Sequence, residues 1–404
     1  MAPQLQQPRP SLRSAAAGAA SISSAPAAWL DSSPLSQVHG PVVAERRLGS
    51  SQWAEQLLLE TRDGARFFAK TAGGGAAAAE MFRGEMLGLN ALRDASDVSG
   101  AGLAVPRVFF GGRAAAAAAP SSASSSSGGG GAGRGAGGEA FIVMEHLDLS
   151  GGGGGGRGGD GRTLQARLGE ALARVHGAPV PPPTTPLSPP PAGGPDSSSS
   201  PYSSSAAARA PQFGFPVDNT IGGTPQLNGW SDSWPDFYRD RRLLPQLRLA
   251  ADPALSAAAQ PVLDNLPLLF RDYGPGGSLE GRLAPSALHG DLWSGNYGAA
   301  REGGQGGTLV PAVFDPAAYY GHSEAEFGMQ WCGGFAPEFW AAYFALRPRA
   351  PGFDARSALY ELYHYLNHLN LFGGGGGGGG YRAECARCLE RLAAVVRAGG
   401  VPAR

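Results

Sequence analysis

The sequence predicts an α+β fold in two lobes: a small N-terminal lobe with an antiparallel sheet and one helix, then a mostly helical C-terminal lobe. Three observations carry this. Short strand-like runs crowd the front of the chain, at 42–48, 56–61 and 65–70, with the hairpin signal Arg62-Asp63-Gly64 between the last two. Residues 76–95 then place Met81, Met86, Leu89 and Leu92 at helical spacing, and helical patterns prevail from Leu164 onward. The third observation is His289-Gly290-Asp291, with Asn296 five positions after the acid and Asp315 behind an apolar strand-like run. Phosphoryl transfer needs a carboxylate to take the attacking hydroxyl's proton. It also needs an amide oxygen and a second carboxylate for the metal that bridges the phosphates.

The first 38 residues hold Arg9, Arg13, many Ala and Ser, and no acid before Asp31, the composition of an organelle transit peptide. From Val42 the strands begin around a turn at Gly49-Ser50-Ser51, which lacks the G-x-G-x-x-G of a phosphate-cradling loop. Lys70 ends the third strand and is the only lysine, the other 31 basic residues being arginine. Arginine does not replace a compact ammonium in a confined phosphate site, so the survival of this one lysine marks it as a phosphate anchor. Glu85, fifteen residues later on the helix, is its expected partner, with Glu80 the competitor.

A strand at 105–110 and a strand at 141–147 follow, the second running into a connector. Helices are expected at 164–176, 234–249, 257–270 and 359–372. Between these elements lie Gly-, Ala-, Ser- and Pro-rich tracts that cannot bury enough apolar surface to order themselves. The expected division is therefore a transit segment at 1–38, an N-lobe at 39–145 with an insert at 113–138, and a C-lobe at 146–404. The C-lobe inserts fall at 150–162, 177–211 and 373–380.

Net charge is −1 and the sequence pI about 6.7, so no polycationic surface points to nucleic acid. No apolar run approaches the ~20 residues of a membrane span. Three cysteines are too few for a disulfide framework, and Cys385-x-x-Cys388 reads as two cysteines near a helix surface rather than half a metal site. His364 and His368, four apart on one helix, read as surface polar residues, since no acidic or cysteine partner sits at a supporting spacing.

The stretches HGDLWSGN at 289–296, FDPAAYYGHSEAEF at 314–327, DNTIGGTPQLNGW at 218–230, WPDFYRDRRLLPQL at 234–247 and LYELYHYLNHLNLFG at 359–373 together resemble the fructosamine kinase (ketosamine-3-kinase) family, including plant protein-ribulosamine 3-kinases. The resemblance implies a protein-kinase-like fold that phosphorylates the sugar 3-hydroxyl of ketosamines on protein or free amines with ATP and Mg2+, after which the sugar is shed. Carried onto this sequence, Asp291 is the catalytic base, Asn296 and Asp315 the metal ligands, and Lys70 with Glu85 the ATP-positioning pair. Met144, Glu145, His146 and Leu147 surround the adenine, while Trp293, His322 and Glu324 line the substrate pocket. The plant resemblance points to the chloroplast, with the cytoplasm the alternative. Many relatives carry roughly Gly-Gly-Gly-Cys in the phosphate loop; here Gly49-Ser50-Ser51-Gln52 stands there, so redox control through that loop is not carried over. Two other readings share parts of the pattern: a small-metabolite kinase of the choline or aminoglycoside type, and a nucleotide-binding pseudokinase scaffold.

Overall fold

The computed structural model describes residues 34–114, 138–150, 162–182, 212–301, 307–373 and 378–401. The transit segment expected at 1–38 lies outside these up to residue 33, as does most of the inserts at 113–138, 150–162 and 177–211. Part of the 373–380 tract is described, and there Gly378 already opens a helix.

A short helix α1 (Pro34–His39) leads into β1 (Val42–Ser50), β2 (Glu55–Thr61) and β3 (Arg66–Ala72). Helix α2 (Ala76–Ser99) follows, then β4 (Val108–Arg113) and β5 (Ala140–Glu145). The five strands form one antiparallel sheet in the order β1-β2-β3-β5-β4. Its alternation separates two faces. Leu57, Leu59, Phe67, Ala69, Phe141 and Val143 form one cluster, closed by Leu35 of α1. Ala72, Ala140, Ile142 and Met144 face the main core with Phe82, Leu89 and Leu92 of α2. Lys70 pairs in register with Ile142, so its side chain emerges on the α2 face. Helix α2 stops at Gly100, whose φ of 60° is the left-handed conformation that ends helices. The strand expected at 105–110 begins three residues later, because Pro106 has no N–H for a ladder and Glu145 N bonds back to Arg107 O only beyond it.

The second lobe contains β6 (Leu149–Ser150), α3 (Leu164–Val175), the hairpin β7 (Asn219–Ile221) and β8 (Thr224–Gln226), and α4 (Trp234–Tyr238). A π-helical turn at Arg239–Leu243 joins α4 to α5 (Leu244–Ala250), next to Pro245, which has no N–H to donate. Helix α6 (Pro253–Asp264) starts earlier than expected, since Asp252 caps it by accepting from Ala254 N and Leu255 N, with Pro253 in the first turn. It ends at Asn265, and a 3-10 turn at Leu266–Tyr273 replaces the rest of the helix expected to Phe270.

Then come β9 (Ser286–Leu288), β10 (Tyr297–Arg301), β11 (Leu309–Val313) and β12 (Tyr319–Gly321), a 3-10 turn at Ser323–Met329, and helices α7 (Gln330–Gly333), α8 (Pro337–Leu346), α9 (Phe353–Phe372) and α10 (Gly378–Arg397). The main cluster runs through both lobes. No helix among the described residues is long and apolar enough to cross a membrane.

Two surface expectations are corrected here. Cys385 and Cys388 are buried on the side of α10 that carries Leu389 and Leu392, and burial pushes both thiols up to about 12. His364 is buried as well, and desolvation brings it down to about 3, so the ring is neutral. The cause is packing: α10 covers one flank of α9, while His364 lies against Gly328 on another, where a Cβ would sit 2.5 Å from its ring.

Candidate active site

Two strand pairs converge to build the site. In one, Leu288 of β9 faces Tyr319 of β12, which leaves His289-Gly290-Asp291 emerging beside the chain that follows Asp315. In the other, Tyr297 of β10 faces Val313 of β11. Asn296, just before β10, therefore lies beside Phe314 and Asp315, just after β11. Phe314 N donates to Asn296 O at 3.0 Å and fixes that register. The close approach requires glycine at 290: its φ is +78°, and a Cβ there would fall 2.2 Å from Ala317 O. Asp315 itself holds φ +59°, uncommon for a non-glycine residue.

The side chains meet as one group. Lys70 Nζ donates to Glu85 Oε1 and to Asp315 Oδ1, each at 2.7 Å. Burial works against the Lys70 charge, but Asp315 and Glu85 outweigh it and hold the ammonium above its usual range. Desolvation raises Glu85, opposed by Lys70 and aided by Asp315. Glu80 instead meets Arg83 on the exposed side of α2, which resolves the competition in favour of Glu85. Asn296 Nδ2 donates to Asp291 O at 2.8 Å, to Asp291 Oδ2 at 3.1 Å and to Asp315 O at 3.4 Å. Asp291 is pushed up to about 7, first by burial and then by the Asp315 carboxylate.

Such an arrangement brings together one cation, three carboxylates and one amide. A family model described as fructosamine kinase matches residues 203–394. The chloroplastic protein-ribulosamine 3-kinase of Oryza sativa subsp. indica is 35% identical over 315 residues, covering 77% of this chain and 69% of the relative. The chain belongs to the fructosamine kinase family.

The Arabidopsis thaliana protein-ribulosamine 3-kinase, also chloroplastic, is 37% identical over 239 residues, 58% of each chain. Among solved structures, a fructosamine-3-kinase candidate from Thermobifida fusca matches with a TM-score of 0.58 at 25% identity, over 89% of this chain and 96% of that one. The two-lobed, protein-kinase-like architecture is thus common to this family member and its structural relative.

The remaining expected residues fall into two sets. Met144, Glu145, His146 and Leu147 form the segment between the lobes. Met144 is buried in the main core, Glu145 accepts from Arg107 N, and Leu147 packs on Ala300, Val310 and Ala312. The half-buried His146 is held low by burial and by Arg66. Trp293 lies on the Asp291 loop, its ring against Gly295, where a Cβ would be 2.4 Å away.

His322 and Glu324 are not brought to this group. Both nitrogens of the buried His322 face tyrosine hydroxyls, Tyr360 at 2.7 Å and Tyr273 at 3.2 Å. Glu324 makes a two-pronged bond to Arg356, 2.7 Å on each arm.

Their neighbour Glu326 instead meets the backbone of the loop that carries Asp291. Its carboxylate accepts from His289 N at 2.8 Å and Gly290 N at 2.9 Å, and from His176 Nε2 at 3.2 Å. Burial alone raises Glu326, but His176 and the loop more than offset this and keep it ionised below its usual range. The Glu326 carboxylate, which can only accept, selects the His176 tautomer protonated at Nε2, and Nδ1 then accepts from the Tyr343 hydroxyl at 2.8 Å. His289 completes the loop, its Nε2 on Phe314 O at 2.9 Å while Nδ1 accepts from Asp291 N at 3.3 Å.

Proposed function

We propose that this chain transfers the γ-phosphoryl group of ATP to the sugar 3-hydroxyl of a ketosamine, a ribulosamine or fructosamine adduct on a protein or free amine, and so initiates deglycation. The observation that carries the reading is the Lys70 ammonium shared at 2.7 Å by Glu85 and Asp315, beside an Asp291 carboxyl raised to about 7. A base with a pKa near the working pH is the one best able to accept the hydroxyl's proton as it attacks. In this reading Asp291 holds the 3-hydroxyl and receives that proton. Lys70, oriented by Glu85, presses on the phosphates as a point charge. Residues 144–147 border the adenine, and Trp293 offers an apolar face to the sugar. The lobes are taken as 39–145 and 146–404.

The donor set fits Mg2+, a cation that takes oxygens from one or two carboxylates and completes its shell with phosphates. Asp315 spends one oxygen on Lys70, and Asn296 spends its nitrogen inside the protein, which leaves Asp315 Oδ2 and Asn296 Oδ1 to hold the ion. When bound, Mg2+ neutralises charge on the transferred phosphate.

Comparing kcat/KM for ribuloselysine, fructoselysine, choline and an aminoglycoside at equal ATP tests the reading. Ketosamines are expected to be turned over best, with ribuloselysine ahead; preference for choline or the aminoglycoside overturns it, and no ATP turnover at all favours the scaffold. Because kcat/KM reports the groups of the free enzyme, it is expected to rise about tenfold per pH unit up to about 7 and then level, as Asp291 loses its proton. A flat profile from pH 5.5 to 8 removes Asp291 as the titrating base. Glu326→Gln is expected to lower kcat by ~10–100-fold with little change in the KM for ATP, because hydrogen bonds to a charged group are worth about 1.5–3 kcal/mol. Unchanged kcat shows that the loop holds its shape without it. Residues 1–38 are proposed to send a fluorescent reporter to the chloroplast, where both plant relatives are placed by name. A reporter left in the cytosol rejects this.

A further inference from the structure

In the phosphoryl-transfer reading the tip between β1 and β2 covers the phosphates, yet its Gly49-Ser50-Ser51-Gln52 is not a glycine-rich sequence. Ser51 closes it as a tight turn, its Oγ accepting from Trp53 N at 3.2 Å and Ala54 N at 3.0 Å. This turn points Trp53 across to the other lobe, where its ring meets the Gly222-Gly223 turn of the β7–β8 hairpin. A Cβ on Gly223 would fall 2.2 Å from two ring carbons of Trp53, and one on Gly222 would meet Leu371 of α9 at 3.0 Å.

The same hairpin reaches two further parts of the site. Gly84, the residue before Glu85 on α2, abuts Asn219, where a Cβ would lie 2.6 Å from the Asn219 Cβ. Asn219 Nδ2 donates to Ala318 O at 2.8 Å and Gln226 Nε2 to Ala317 O at 3.0 Å, three and two residues past Asp315. The hairpin is itself anchored in the second lobe, with Tyr363 hydroxyl on Gln226 Oε1 at 2.8 Å and Arg242 Nη2 on Asn228 Oδ1 at 2.7 Å. One rigid hairpin therefore touches the tip over the cleft, the helix carrying Glu85 and the segment carrying Asp315.

We infer that the β7–β8 hairpin clamps the N-terminal lobe over the nucleotide, with Trp53 and Gly223 as the positioning residues of the clamp. The inference rests on the phosphoryl-transfer reading for its consequence, the placement of ATP phosphates against Lys70, but not for the contact itself. Glycine at 223 is required by the ring and not by the backbone, which lies outside the left-handed region there. Alanine at that position consequently displaces Trp53 without straining the chain.

The test is a double-mutant cycle on the full chain with Trp53→Ala, Gly223→Ala and the pair. Each single change is expected to raise the KM for ATP about tenfold while kcat changes less than about threefold, and the double change is expected to add nothing further. Trp53→Phe restores most of the affinity. Without any substrate, tryptic cleavage after Arg47 at the base of the tip, followed by mass spectrometry, is expected to accelerate several-fold in both singles with the melting temperature unchanged. Additive effects in the cycle, or unchanged cleavage in both singles, overturn the clamp. Because the cleavage assay needs no turnover, an inactive wild-type protein with accelerated cleavage in the variants would reject the kinase reading and leave the clamp in place.

Discussion

Asp291→Asn lowers turnover by ~10²–10⁴-fold, the usual contribution of a positioned general base, while ATP still binds. The hydroxyl then has an amide before it that accepts a hydrogen bond but takes no proton. The same substitution shifts stability in a direction fixed by charge. Folding raises the Asp291 pKa from 3.8 to about 7, so between those values the folded protein binds more protons than the unfolded chain. Wild-type stability attributable to this group is present below pH 4 and is lost as pH rises toward 7. Asparagine removes that penalty, so the variant is more stable than wild type at pH 8, by up to ~4 kcal/mol, and about equally stable at pH 4. Retained turnover would exclude Asp291 as the base. An unchanged melting difference between pH 4 and 8 would show that the carboxyl is not raised in solution.

Lys70→Arg is expected to lower kcat/KM by ~10²-fold or more, because misplacing a reacting group by about 1 Å costs that much. Stability should change little, since a guanidinium still offsets Glu85 and Asp315. Lys70→Met separates the two effects. It leaves Glu85 and the partly exposed Asp315 without their shared cation, and water at Asp315 keeps the loss below the about 3–5 kcal/mol of a fully buried pair. Nucleotide affinity and melting temperature measured on both variants check this. Full activity in Lys70→Arg would mean that the single lysine of the chain has no electrostatic task that arginine cannot perform.

Sequence alone determined the local pieces. The hairpin at Arg62-Asp63-Gly64, strand β3 ending near Lys70, the helix bearing Glu85 and the acid–amide–acid series all follow from period, turn chemistry and residue type over a few positions. These are short-range preferences, and the chain meets them where it stands. The family membership was legible for the same reason, because it is written in contiguous stretches such as residues 289–296 and 314–327.

Which neighbour meets which was settled only by the tertiary structure. Glu324 and Glu326 are two residues apart and chemically alike, yet one pairs with Arg356 and the other holds His289 N and Gly290 N. Nothing in a one-dimensional pattern separates them, since the difference is which of two distant elements, α9 or the loop after β9, each side chain faces. His364 and the two α10 cysteines look like surface groups by composition and are buried because other elements pack over them. Gly223 is similarly mute in sequence, and its reason is the Trp53 ring arriving from 170 residues earlier. Long-range packing decides burial and partner choice, because the free energy of both depends on atoms the local chain does not contain.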